Sequence, residues 1–173
     1  MSAIQFRTNP KVDLPHYSYI FRKPEPLGTD MKNVVCSRLG TMLHLEIQKW
    51  KEAMKTSNFQ KCLGGSTTCM RRIAIFTKGC GQLTPNDTYF ADIWFSSVKT
   101  AEEAMAAGVD YCGPVNTSHK GFCLAMLENL MKDWPGGSYL VMRITPRVPV
   151  GRPLLAIGYK YNYRKVLRFI DTG

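Results

Sequence analysis

The stretch that decides the fold is Tyr89-Phe90-Ala91-Asp92-Ile93-Trp94-Phe95-Ser96-Ser97. A single carboxylate stands in an apolar, aromatic run. Tyr89 to Trp94 reads as a buried strand, and Ser96 and Ser97 open a helix. A lone acid at the end of a buried strand is costly unless it is paired, hydrogen-bonded or holding a metal. Strand ends of open α/β sheets are also where ligands and catalytic groups collect. Asp92 is therefore either a metal ligand or a structural acid that caps the next helix or pairs with a Lys or Arg.

The segments around this run alternate in type. Downstream, Val98–Ala107 reads as a helix closed by Gly108, Tyr111–Val115 as a strand and Gly121–Trp134 as a helix with an apolar side. Tyr139–Ile144, Leu154–Tyr159 and Val166–Ile170 read as strands. Upstream, a helix from Ser66 or Thr67 to about Thr77 carries Met70, Ile73, Ala74 and Thr77 on one face. Lys32–Ser37 and Thr41–Ile47 form a hairpin around Arg38-Leu39-Gly40, followed by a helix near Gln48–Lys55, and residues 56–66 read as a loop. Residues 1–30, broken by Pro10, Pro15, Pro24 and Pro26, read as an extended arm with one short strand near His16–Phe21. The expectation is a mixed α/β sheet flanked by helices, with an arm over 1–30 and one domain over 31–173.

The chain has 173 residues, and its 23 Lys and Arg against 13 Asp and Glu leave a net charge of +10. Such an excess favours a polyanionic partner, nucleic acid above all. No apolar run approaches the ~20 residues of a membrane span. The N-terminus carries no apolar signal-peptide core, so the expected address is nuclear or cytoplasmic. The six cysteines contain no C-x-x-C pair and read as reduced structural thiols. His16, His44 and His119 belong to no metal or nucleophile–base motif, and Gly79-Cys80-Gly81 lacks the Lys-Ser/Thr pair of a phosphate loop.

Basic residues gather towards the C-terminus: Arg147, Arg152, Lys160, Arg164, Lys165 and Arg168, with Tyr159, Tyr161 and Tyr163 interleaved. Cations of this kind contact phosphates, and tyrosines stack on exposed bases. A solvated strand edge guarded by charge against aggregation has the same pattern.

Several blocks, in order, resemble piggyBac-type transposases. Arg22-Lys23-Pro24-Glu25-Pro26-Leu27-Gly28 followed by Met31–Cys36 resembles their K-P-x-x-x-G-x-K passage. Tyr89–Ser97 is similar to their D-x-W-F-x-S block, Lys99–Ala107 to the helix after it, and Tyr111–Thr117 to the next strand. Trp134-Pro135-Gly136-Gly137 is similar to a variant found in transposase-derived proteins of that family. The resemblance implies a ribonuclease H-like domain that cuts and joins DNA with Mg²⁺ held by three acids, of which Asp92 matches the second. It also exposes departures. No Asp-Glu pair precedes the K-P passage, where only Asp13 stands; Asp171-Thr172-Gly173 does not match the third-acid block; and Ile93 replaces a polar residue. One carboxylate cannot fix two Mg²⁺ ions. The expectation is an incomplete, inactive remnant that binds DNA at most, through the six basic residues above. The alternative is a non-catalytic module that binds nucleic acid, a protein or a second copy.

Overall fold

In the computed structural model the described residues are 16–21, 24–49, 51–82, 84, 87–116, 121–146 and 152–173. The chain divides into two compact units, Met1–Gly64 and Gly65–Gly173. The sequence expectations for Asp13, Arg22-Lys23, Arg147 and His119 fall outside the described residues.

The first unit is built from two antiparallel pairs. Strands β1 (Tyr17–Tyr19) and β2 (Leu27–Thr29) pair with Tyr17 opposite Thr29. Strands β3 (Met31–Val35) and β4 (Met42–Ile47) pair with Met31 opposite Ile47, and the register shifts at Val34/Val35. Gly40, at φ 64°, supplies the left-handed residue that closes the second pair's connection, and its N–H bonds Cys36 O at 2.8 Å. The hairpin is thus where the alternation placed it, but β2, directly after Pro24 and Pro26, lay inside the stretch read as an arm. Two short helices follow, α1 (Lys51–Lys55) and α2 (Gln60–Leu63), the second inside the stretch read as loop.

The second unit starts with α3 (Gly65–Gly79), which buries Met70, Ile73, Ala74 and Thr77, the face its spacing marks out. Next come β5 (Thr88–Phe90), α4 (Val98–Ala106), β6 (Asp110–Pro114) and α5 (Leu124–Leu130), then β7 (Tyr139–Ile144), β8 (Leu154–Asn162) and β9 (Lys165–Asp171). The five strands form one mixed sheet in the order β5-β6-β9-β8-β7, with β5 parallel to β6 and the other pairings antiparallel. A parallel pair needs a crossover, and α4 provides it. Ser97 caps α4 by accepting from Thr100 N at 3.0 Å. Gly108, at φ 74°, turns the chain out of the helix.

Two helices lock together through polar ends. Thr67 and Thr100 share a buried hydroxyl bond of 3.0 Å. Arg71 reaches Glu103 O at 3.0 Å and Lys78 reaches Ala107 O at 3.1 Å, so two α3 cations sit on carbonyls at the C-terminal end of α4, where the helix dipole favours positive charge. The sheet's helix-facing side carries Tyr89, Tyr111, Leu154, Ala156 and Ile170, all buried. Its register puts Phe90, Pro114, Phe169, Ile157, Val141 and Tyr139 on the other side. Phe90 is 80% exposed there and Tyr139 69%. Among the described residues of this unit the helices pack on one face only, whereas the sequence led us to expect helices flanking the sheet.

Candidate functional site

Strand β5 ends at Phe90, so the aromatic run is not one buried strand. Asp92 lies in the turn beyond it and is exposed. Its Oδ1 accepts from Trp94 N at 2.9 Å and Phe95 N at 3.3 Å. This is a side chain closing its own turn, the ordinary use of a short acid after a strand. No desolvation problem arises, because water reaches the carboxylate.

The turn is anchored from below. Ser96, fully buried, bonds the Tyr111 hydroxyl at 2.8 Å. Ala91 N donates to Cys112 O at 2.9 Å. Gly113 makes this approach possible: a Cβ there would stand 2.0 Å from Ser96 Oγ and 3.1 Å from Ala91 O. Burial, with smaller contributions from the Asp92 carboxylate and Cys112, raises the Tyr111 phenol to about 12 despite its bond to Ser96. Tyr89 is raised too, by burial first; its hydroxyl bonds Thr77 in the core.

The residues around Asp92 do not fit a two-metal centre. Among the described residues no group of three or more His, Cys, Asp or Glu side chains is disposed to hold a metal ion. Asp171, the other acid considered as a partner, is on β9, separated from β5 by β6, and accepts from Gly173 N at 3.1 Å. Cys112 lies opposite Asp171, and its thiol is raised by burial and by that carboxylate, which makes it a poor nucleophile. In the first unit, His16 Nδ1 lies 3.2 Å from Ser18 Oγ, whose hydroxyl donates to Asp30 at 3.0 Å. The serine proton points to the acid rather than to the imidazole, so this is not a nucleophile–base pair.

The basic residues separate into distinct surroundings. Arg152 pairs with Asp110 at 2.6 Å and Arg168 with Glu128 of α5 at 2.7 Å. Lys160 is 3% exposed, and its Nζ donates to Lys132 O at 2.9 Å. Arg164 and Lys165 form the exposed tip of the β8–β9 hairpin. Asn162 Oδ1 accepts from both their backbone N–H groups, at 3.0 and 2.9 Å, and fixes the turn. The Arg164 guanidinium lies 4.8 Å over the Tyr163 ring, and Lys165 Nζ 6.0 Å over the Tyr161 ring. Interleaved Tyr and Lys/Arg was the sequence signal for this tip, but the list of cations could not show which were already engaged within the fold.

No helix among the described residues is long and apolar enough to cross a membrane. No family model matches the chain. No curated protein matches it either. Its fold is similar to that of a piggyBac transposase whose cryo-EM structure is a synaptic complex with hairpin DNA, at a TM-score of 0.66 and 17% identity. The alignment covers 91% of this chain and 29% of the transposase chain, so the likeness is one of fold, to less than a third of that protein.

Proposed function

We propose that the chain is a transposase-derived protein, a remnant of a piggyBac-type, ribonuclease H-like DDE domain, that binds DNA and does not itself cut or join it. The observation that carries this reading is the state of Asp92: in the resemblance it matches the family's second catalytic acid, yet it serves its own turn and belongs to no group of three or more metal-type ligands among the described residues. The shared fold supports the ancestry. The net charge of +10 and the exposed Arg164 and Lys165 support the DNA partner, in a nuclear or cytoplasmic setting. Mg²⁺ is then not held stably at Asp92, since one carboxylate supplies too few oxygens.

The test is a nicking and binding assay on supercoiled and linear DNA with Mg²⁺ or Mn²⁺, comparing wild type with Asp92→Ala. The expected result is binding that weakens as salt rises and no metal-dependent nicking by either protein. Nicking by the wild type that the substitution abolishes would overturn the claim of inactivity. Affinity indifferent to salt would overturn the phosphate contacts.

A further inference from the structure

We propose that the tip of the β8–β9 hairpin, Tyr161 to Lys165, is a binding site for an unpaired stretch of DNA strand, with Tyr161 and Tyr163 stacking on bases while Lys165 and Arg164 contact the phosphates. The proposal rests on the DNA-binding reading and adds the form of DNA and the residues that hold it.

Four observations converge on the tip. Tyr161 is 60% exposed and Tyr163 73%, so large ring surfaces meet water where a folded chain gains nothing from them. Each ring is paired with a cation from its own turn, and neither cation is paired with a carboxylate among the described residues. From Gly158 to Ile170 the sequence has no acid, and of its four basic residues Arg164 and Lys165 stand at the tip while Lys160 and Arg168 are engaged within the fold. The tip is also held in place: Asn162 closes the turn, Gly137 N donates to Lys160 O at 2.7 Å, and Lys160 N donates to Ser138 O at 2.8 Å. A fixed turn lowers the ordering cost of binding.

Charge complementarity selects a polyanion, and the rings select its form. A nucleotide carries an anionic phosphate and a flat base close together, as each Tyr–cation pair carries a ring and a positive charge. Duplex DNA hides its base faces, so exposed rings contribute little to holding it. Unpaired bases offer their faces, and stacking on aromatic side chains tolerates any sequence. An acidic peptide would satisfy the cations and leave the rings idle.

The test measures anisotropy of labelled oligothymidylate and of a duplex of equal length, binding to the full chain. Tyr161→Ala/Tyr163→Ala should weaken oligothymidylate binding about fivefold or more, leave duplex binding within about twofold, and leave the salt dependence unchanged. Tyr161→Trp/Tyr163→Trp should restore the affinity. Arg164→Gln/Lys165→Gln should instead make the salt dependence on the single strand shallower, by about 0.7 in log–log slope per lost phosphate contact. Thermal melts of each variant confirm folding; exposed tip residues are not expected to shift them. Ring removal that changes neither ligand, or both equally, would overturn the proposal while leaving DNA binding intact. Wild-type chain that binds neither ligand would overturn the DNA-binding reading beneath it as well.

Discussion

Gly113 has no room for a methyl group, since its Cβ would collide with Ser96 Oγ and press on the Ala91 carbonyl. Gly113→Ala should therefore lower stability by about 2 kcal/mol or more in urea unfolding. Ser96→Gly in the same chain should recover part of the loss but not all, because the Ala91 oxygen belongs to the backbone. Asp92 behaves differently. Asp92→Asn should be nearly silent in a thermal melt, as an amide oxygen accepts the same two N–H groups, while Asp92→Ala should cost about 1 kcal/mol. Tyr111 gives a pH signature. Its phenol is raised from 10.0 to about 12, so the folded state resists an ionisation that the unfolded chain accepts freely. The stability it contributes is complete below pH 10 and lost as pH rises towards 12, by about 3 kcal/mol. Tyr111→Phe should flatten that decline in stability against pH, leaving the part due to Tyr89, whose phenol is also raised. Legibility at this scale was uneven. A structural role for Asp92 was one of the two readings open in the sequence, but its place in an exposed turn rather than a buried strand was not visible, because an apolar run of this length is equally strand or strand-plus-turn until its packing is known.

At the scale of elements, β7 and α4 are where the sequence placed them. In α4 the Ser97 cap and Gly108 stop are local signals. In β7 the alternation over Tyr139–Ile144 matches a strand whose two faces differ in exposure. Helix α5 spans Leu124–Leu130, half of the expected Gly121–Trp134. Its last expected turn is replaced by a bend in which Lys132 O is claimed by Lys160 from β8, a long-range partner that no local pattern announces. That bond, with the two backbone bonds to Gly137 and Ser138, ties the connection before β7 to the β8–β9 hairpin. Lys160→Ala should loosen this connection, read as amide exchange about tenfold faster at the backbone N–H groups of positions 137 and 160 with the centre of β8 still protected.

For the whole molecule, the division after Gly64 means that residues 65–173 carry their own sheet, helices and core. That stretch, made alone, should unfold in one cooperative transition by circular dichroism and fluorescence. In that stretch made alone, the sheet face opposite the helices, where Phe90, Tyr139 and Val141 are exposed, should bind hydrophobic dyes and drive association as concentration rises, and Val141→Lys should reduce both. Alternating strands and helices made the α/β class readable, whereas the packing of the second unit's described helices on one face was not, since periodicity tells which residues share a side and not what covers it. The turn at Asp92 has a last consequence, for drift. In a library of variants selected only for folding, position 92 should fill with Asp, Asn and Ser, while position 113 stays glycine. Asp92 is then more replaceable than Gly113, and its carboxylate can give way to an amide or hydroxyl without the fold registering the change.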